Sequence, residues 1–191
     1  MEVKRVGIVG SGIMGAGVAE VAAKSGFEVV IRSRAQASAD ALIAGLEKSL
    51  AKQVEKGRLE DADRAATLER LRVVTDLADL ADCDLVLESV VEDLAAKKHL
   101  FNELDRVCGE STILATNTST LPVVDLAMET GRPEQVCGIH FFNPAPAMAL
   151  VEVVRAITSS DDTLRTARAF AEACGKTVVD VCDQAGFIVN A

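Results

Sequence analysis

Short apolar runs and longer amphipathic stretches alternate along the chain. The apolar runs are rich in β-branched residues and have the length of strands. They are Val6–Val9, Glu28–Ile31, Val73–Thr75, Asp84–Glu88, Thr112–Ala115 and Val136–Ile139. The first of them is apolar at successive positions, which is typical of a strand covered by helices on both faces. The alternation predicts an α/β fold built on a doubly wound, mostly parallel sheet.

The stretches between these runs have the pattern of helices. Ala16–Lys24 is rich in alanine and ends at a Ser-Gly pair, which is typical of a helix C-terminus. Ala35–Lys56 carries leucines on one face and lysines on another, and Arg58–Arg70 is charged with helical spacing. These two segments predict a helical pair inserted before the third strand and projecting from the sheet. A last helix is predicted over 160–174, with its first serine as the cap, followed by a strand over 177–181.

A glycine-rich loop joins the first strand to the first helix. It reads Gly10-Ser11-Gly12-Ile13-Met14-Gly15. Here Gly10 can make the tight turn, Gly12 can let the backbone approach a pyrophosphate, and Gly15 can let helix and strand pack closely. The free N–H groups of Ile13, Met14 and the flanking glycines, with the positive end of the helix dipole, favour bound phosphate. The loop predicts a Rossmann-type dinucleotide site; the alternative is a β–α turn that only tolerates glycine.

The end of the second strand bears on which dinucleotide is bound. An acidic residue usually accepts hydrogen bonds there from the ribose 2′-hydroxyl of NAD. Ser33 stands at that position, between Arg32 and Arg34. A serine hydroxyl and a guanidinium favour a 2′-phosphate, which a carboxylate would repel. We therefore expect NADP(H) to be preferred, with contacts from Ser33 and Arg34. Binding of NAD without the acidic contact is the alternative.

Composition argues against several other classes of partner. The net charge of −9 opposes binding to a nucleic-acid backbone, and the chain has no Trp or Tyr to stack on single-stranded bases. Its five cysteines are irregularly spaced, and its two histidines belong to no cluster with metal-ligand spacing. No nucleic acid, membrane or metal is therefore expected. The N-terminus has no signal-peptide pattern, so the expected location is the cytoplasm.

One histidine is placed to act as an acid–base group. His140 lies at the end of the sixth strand, at the edge where ligands of open α/β sheets bind. A short-chain dehydrogenase would need a Tyr and Lys pair, and the chain has no Tyr. A carboxylate on the other ring nitrogen would fix the tautomer, and Glu152 on the next strand is the nearest in sequence. A structural histidine at a strand end is the alternative.

Several motifs follow one another in a consistent order along the whole chain. They are Gly10–Gly15, Glu88–Glu92, Thr116–Thr120, His140–Pro144, Leu150–Val154 and Gly186–Asn190. Together they resemble the bacterial L-3-hydroxyacyl-CoA dehydrogenases, and the most similar type is 3-hydroxybutyryl-CoA dehydrogenase. The resemblance implies an enzyme that moves a hydride between a nicotinamide cofactor and C3 of a 3-hydroxyacyl-CoA or 3-oxoacyl-CoA. The expected substrate pair is 3-hydroxybutyryl-CoA and acetoacetyl-CoA.

The same resemblance implies roles for individual residues. His140 is the general base for the 3-hydroxyl proton, and Glu152 pairs with it. Ser119 and Asn190 hydrogen-bond the 3-oxygen of the substrate, where charge develops. The other implied contacts are to the cofactor, from Glu92, Lys97, Asn117, Ser119 and Asn143, and to coenzyme A, from Ser49 and Lys56.

The apolar end of the chain bears on domain organisation. In the family that the chain resembles, a helical C-terminal domain closes over the substrate and carries most of the dimer interface. We therefore expect a Rossmann domain over 1–185, the start of a helical domain at 186–191 and a homodimer at full length. Poor turnover is expected of these 191 residues alone.

Two other functions are alternatives to a 3-hydroxyacyl-CoA dehydrogenase. One is an oxidoreductase for an acyl-carrier-protein thioester, and the other is a non-catalytic module that binds NAD(P).

Overall fold

The computed structural model describes residues 1–184 and residue 187. A single sheet of eight strands runs through this part of the molecule. Its strands are β1 (Arg5–Val9), β2 (Glu28–Arg32), β3 (Leu71–Val74), β4 (Leu85–Glu88), β5 (Ile113–Thr116), β6 (Val136–Phe141), β7 (Leu150–Arg155) and β8 (Thr177–Cys182). They are arranged in the order β3-β2-β1-β4-β5-β6-β7-β8. β1 to β6 are parallel, β7 is antiparallel to β6, and β8 is parallel to β7. The predicted α/β fold with a mostly parallel sheet is confirmed.

Helices cover both faces of this sheet. They are α1 (Ile13–Lys24), α2 (Gln36–Glu55), α3 (Asp61–Glu69), α4 (Leu94–Val107), α5 (Val123–Ala127) and α6 (Asp161–Ala173). α1, α2 and α6 cover one face, where Val18, Leu46 and Phe170 join its core. α4 and α5 cover the other face, where Phe101 and Leu126 are buried. This double layer explains why the central strands are apolar on successive residues.

The inserted helical pair is α2 and α3. Leu42, Leu46 and Leu50 form a buried stripe along α2. The pair packs against α1 and β3 instead of projecting freely from the sheet. The reason is the leucine stripe, because apolar side chains at this spacing stabilise the folded protein only when another element covers them.

Two strands extend two residues past the ends that the hydrophobic pattern predicts. β3 begins at Leu71 instead of Val73, and β6 continues to Phe141 instead of ending at Ile139. β6 continues because its last residues pair with β7, and this antiparallel ladder sets His140 opposite Glu152. Pairing between distant segments extends a strand past the point where its own composition stops indicating one.

The helix cap predicted at Ser160 is present, since the Ser160 hydroxyl accepts a hydrogen bond from the backbone N–H of Thr163. Within residues 1–184 and 187, no helix is long and apolar enough to cross a membrane. The same part of the chain contains no group of three or more His, Cys, Asp or Glu side chains arranged to hold a metal ion.

Candidate active site

The loops that follow the parallel strands meet at one edge of the sheet, which we call the carboxyl edge. In open α/β sheets ligands bind at this edge, beside the point where the strand order reverses. Here the order reverses between β1 and β4, so the glycine loop after β1 lies beside the loop after β4. The loops after β5 and β6 continue the same edge. The candidate residues on these loops therefore lie along the same edge of the sheet.

Two glycines of the loop after β1 are required by the backbone. Gly10 has φ +124°, and a Cβ there would lie 2.3 Å from the carbonyl oxygen of Ser89. A Cβ at Gly15 would lie 2.0 Å from the carbonyl oxygen of Gly10. At Gly12, in contrast, an added Cβ would meet nothing within 4 Å. Gly10 and Gly15 thus shape the turn, whereas Gly12 leaves open the space that a pyrophosphate would need.

The N-terminus of α1 is available to hold phosphate. No side chain caps Gly12, and the first turn contains no acidic residue. The backbone N–H groups of Ile13, Met14 and Gly15 precede the first i→i−4 hydrogen bond, in which Ala16 donates to the carbonyl of Gly12. Such amides and the positive end of the helix dipole suit an anion. The residues present therefore fit a dinucleotide.

Ser33 is buried in a chain of three hydroxyls. Its Oγ lies 2.9 Å from Oγ of Ser11 in the glycine loop and 2.7 Å from Oγ of Ser38 in α2. Arg34 is exposed next to it. Arg32 lies apart from this group, because strand residues alternate between faces. Its Nε donates to the carbonyl of Thr75, beside a cleft of about 570 Å³ on the α4 face.

His140 and Glu152 form a buried pair. Nδ1 of His140 lies 2.7 Å from Oε2 of Glu152, and the two residues are 5% and 0% exposed. The ring of Phe142 lies 4.4 Å and that of Phe187 5.7 Å from the imidazole, measured between centroids. Because an ionised carboxylate only accepts hydrogen bonds, Nδ1 carries a proton, and in the neutral imidazole Nε2 then has the lone pair. That is the tautomer a general base needs.

The loop after β5 carries Asn117 and Ser119 at the same edge of the sheet. Oδ1 of Asn117 accepts a hydrogen bond of 2.7 Å from the backbone N–H of Phe141, the residue after His140. The backbone N–H of Ser119 donates to Oε1 of Glu92 at 3.1 Å. Asn143 is exposed on the loop after β6. Asn117 thus braces the strand end that carries the histidine, and Glu92 braces the turn that carries Ser119.

Glu92 and Lys97 belong to an ion network that also contains Glu88. Nζ of Lys97 lies 2.7 and 2.9 Å from the two carboxylate oxygens of Glu88 and 3.1 Å from Oε2 of Glu92. Burial alone raises the pKa of the Glu92 carboxyl, but the Thr118 hydroxyl and the Lys97 ammonium hold that pKa below its usual range. No individual role was predicted for Glu88. Its signal was a carboxylate at the last position of an otherwise apolar central strand.

The two residues implied for coenzyme A lie on α2, away from the carboxyl-edge loops. The Ser49 hydroxyl donates to Oε2 of Glu20 at 2.8 Å, and Gln53 donates to the other oxygen of that carboxylate. Ser49 therefore ties α2 to α1. Lys56 is exposed at the C-terminal end of α2. Asn190 lies outside the described residues, as does the rest of the motif 186–190 except Phe187.

Residues 5–184 match the family described as 3-hydroxyacyl-CoA dehydrogenase, NAD binding domain. The chain belongs to this family. The resemblance carried by the sequence motifs is thereby confirmed, and a nicotinamide dinucleotide is the class of cofactor for this domain.

Curated relatives and solved structures agree with this membership. A probable 3-hydroxybutyryl-CoA dehydrogenase of Deinococcus radiodurans is 46% identical over 186 residues, which cover 97% of this chain and 66% of the relative. A 3-hydroxybutyryl-CoA dehydrogenase of Clostridioides difficile is 42% identical over 186 residues, with the same two shares of coverage. The crystal structure of Mycobacterium tuberculosis FadB2 superposes with a TM-score of 0.97 at 42% identity, covering 100% of this chain and 67% of that one. The chain thus spans about two thirds of the length of these relatives.

Proposed function

We propose that this domain serves an oxidoreductase that transfers a hydride between a nicotinamide cofactor and C3 of a 3-hydroxyacyl-CoA or 3-oxoacyl-CoA. The observation that carries the proposal is the buried His140–Glu152 pair, which lies at the same sheet edge as the glycine loop. The names of the curated relatives support 3-hydroxybutyryl-CoA and acetoacetyl-CoA as the substrate pair.

His140 moves the proton in this mechanism. The bound nicotinamide supplies the hydride acceptor for oxidation and the hydride donor for reduction. Nε2 of His140 accepts the proton of the 3-hydroxyl as C3 is oxidised to a ketone, and it returns that proton in the reduction. Glu152 holds the proton on Nδ1 and stabilises the imidazolium that forms. Burial of both groups keeps water from competing for the proton.

Other residues bind and orient the reactants. Ser119 and Asn190 would hydrogen-bond the 3-oxygen of the substrate, where negative charge develops during the reduction. For the cofactor, the proposed contacts come from Gly10, Gly12, Ile13, Met14, Gly15, Ser33, Arg34, Glu92, Lys97, Asn117, Ser119 and Asn143. Because Lys97 is almost fully buried, its effect on the cofactor would pass through Glu92. Ser49 and Lys56 would contact coenzyme A.

We propose that NADP(H) is preferred over NAD(H). The support is a hydroxyl at Ser33 where a carboxylate would repel a 2′-phosphate, with the Arg34 guanidinium exposed beside it. The Ser33 hydroxyl itself is buried, and it is hydrogen-bonded to the hydroxyl of Ser11, which is half-buried in the glycine loop. A charge-assisted hydrogen bond from these groups contributes about 1.5–3 kcal/mol, which corresponds to roughly tenfold or more in affinity.

The activity is tested by initial rates with acetoacetyl-CoA in the full-length protein. Replacement His140→Ala should lower kcat by about 10²–10⁴-fold, since a positioned general acid contributes that much. His99→Ala is the matched control, because His99 is exposed and pairs only loosely with Glu103 at 3.7 Å. Equal rates for the two variants would reject the proposed role of His140. Comparison with the corresponding carrier-protein thioester distinguishes coenzyme A from an acyl-carrier-protein substrate.

The cofactor preference is tested by the same rates with NADPH and NADH. The wild-type protein should favour NADPH by about tenfold. Ser33→Asp should reverse this preference, because the new carboxylate accepts from the 2′-hydroxyl and repels the 2′-phosphate. A strong preference of the wild type for NADH would refute NADP(H) as the cofactor and leave the hydride transfer unaffected.

The remaining organisation is part of this proposal. We place the Rossmann domain at 1–185 and the start of a helical domain at 186–191, with a homodimer at full length that light scattering would detect. Cytoplasmic localisation is supported by the thiols, because all five cysteines in the described residues are free and four are buried.

A further inference from the structure

A buried ion network joins two loops of the carboxyl edge. We call it the Glu88 network; its members are Glu88, Glu92, Lys97, Thr116 and Thr118. Glu88 ends β4 and Thr116 ends β5, so the network lies beneath the loops that follow these two strands. The side chains of Lys97 and Glu88 are 1% and 0% exposed, whereas that of Glu92 is 39% exposed. The network therefore reaches from the protein interior to the surface of the site.

The Glu88 carboxylate is fully engaged by donors. Besides the bonds from the Lys97 ammonium, it accepts a hydrogen bond of 2.6 Å from the backbone N–H of Val90 and one of 2.7 Å from the Thr116 hydroxyl. Burying two charges costs several kcal/mol per ion, and a well-packed apolar pair of equal volume is often as stable. Stability alone thus gives little reason to keep charges at this place.

The network continues into the turn that carries Ser119. Oγ1 of Thr116 accepts a hydrogen bond of 3.1 Å from the backbone N–H of Thr118. The hydroxyl of Thr118 in turn donates a hydrogen bond to Oε1 of Glu92. That same oxygen accepts from the backbone N–H of Ser119. The turn is closed by the backbone N–H of Leu121, which donates to Oγ1 of Thr118 at 3.0 Å. Each backbone group that orients Ser119 is therefore connected to Glu88 within a few hydrogen bonds.

We propose that Glu88 is a positioning residue that sets the Ser119 turn and the Val90 backbone relative to each other. It acts through Thr116 on one side and through Lys97 and Glu92 on the other. Its effect on catalysis rests on the proposed function, whereas its effect on the turn does not. The two effects are measured separately.

The effect on the turn is tested with Thr116→Val in the full-length protein. Valine keeps the shape of threonine and removes the hydroxyl that links Glu88 to Thr118. Hydrogen–deuterium exchange, followed by mass spectrometry, should show about tenfold faster exchange in peptides covering 117–121. Thr116→Ser should restore slow exchange, since it keeps the hydroxyl.

Thr112→Val is the matched control. Thr112 precedes the same strand at its opposite end, and its buried hydroxyl donates to the carbonyl of Cys83 at 2.8 Å. The control should lower the melting temperature to a similar extent without changing exchange at 117–121. If Thr116→Val does not fold, Glu92→Ala removes the acceptor of the Ser119 N–H near the surface and should give the same local increase in exchange. Unchanged exchange at 117–121, or an equal increase with Thr112→Val, would overturn the proposal.

A kinetic measurement separates positioning from a merely structural role. Thr116→Val should lower kcat about tenfold or more, whereas Thr112→Val should leave kcat within about twofold, because only the turn at 117–121 aligns Ser119 with the reacting oxygen. A lower melting temperature with unchanged kcat would overturn the positioning role. If the wild-type protein shows no dehydrogenase activity, the proposed function fails, and the exchange measurement still decides the inference about the turn.

Discussion

Ion pairs at the two edges of the sheet have similar lengths and very different surroundings. At the carboxyl edge, Lys97 and Glu88 lie 2.7 Å apart with 1% and 0% of their side chains exposed. At the opposite edge, which we call the amino edge, Arg5 and Glu28 also lie 2.7 Å apart, but their side chains are 41% and 62% exposed. Distance alone does not distinguish them. Burial does.

The difference in burial means that the desolvation cost of the charges is much larger at the carboxyl edge than at the amino edge. An exposed ion pair contributes about 0–1 kcal/mol to the free energy of unfolding. Removing one partner of a buried ion pair lowers that free energy by about 3–5 kcal/mol. The carboxyl edge buries the Lys97–Glu88 ion pair and, close to it in burial, the hydrogen-bonded His140–Glu152 pair. At the amino edge the buried polarisable groups are thiols, and burial raises the pKa of Cys83 to about 12 and that of Cys108 to about 11. These thiols stay neutral and pack as small apolar groups.

The largest predicted effect compares the two ion pairs directly. Lys97→Met should lower the free energy of unfolding by about 3–5 kcal/mol, because it leaves the buried Glu88 carboxylate without its cation. Arg5→Met at the amino edge should cost at most about 1 kcal/mol. Urea denaturation measures both. Partial recovery is expected in the double variant Glu88→Gln with Lys97→Met, and equal losses for the two single variants would break the comparison.

A second prediction compares glycines at the two edges. Gly12→Ala should weaken cofactor binding by about tenfold, since the new methyl occupies the space left for the pyrophosphate. The melting temperature should change little, because nothing in the protein lies within 4 Å of that methyl. Gly109→Ala near the amino edge is the control; its nearest atom would be 3.5 Å away. Titration calorimetry with the cofactor should show a loss only for Gly12→Ala.

The smallest predicted effect concerns acid stability at the amino edge. Burial raises the pKa of the Asp105 carboxyl, but hydrogen bonds from Arg132 and the backbone N–H of Gly131 hold that pKa below its usual value. A lowered folded-state pKa stabilises the protein above the unfolded-state pKa of about 4, and this contribution is lost as the pH falls through the lower folded-state value. Asp105→Asn should therefore reduce the loss of stability between pH 5 and pH 3, by at most about 1 kcal/mol. Identical pH profiles for wild type and variant would contradict this.

Local patterns in the sequence determined the main features of the fold. The apolar runs predict β1 to β6, the strand predicted over 177–181 is β8, and Glu152 lies as expected on the strand that follows His140, which is β7. Such patterns are readable because side-chain periodicity depends on nearby residues alone. The glycine loop could be read in the same way, because its turn requires residues without Cβ atoms at Gly10 and Gly15. His140 was found because the end of a parallel strand is a place for ligand-binding groups.

Tertiary structure decided what depends on distant segments. The register of β6 against β7 places Glu152 opposite His140, and the packing of the leucine stripe on α2 places the inserted pair against α1 and β3. Likewise, the hydroxyl chain at Ser33 and the network at Glu88 join elements that are far apart in sequence. The physical reason is that burial and hydrogen-bond partners follow from which surfaces meet, and no single segment specifies that alone.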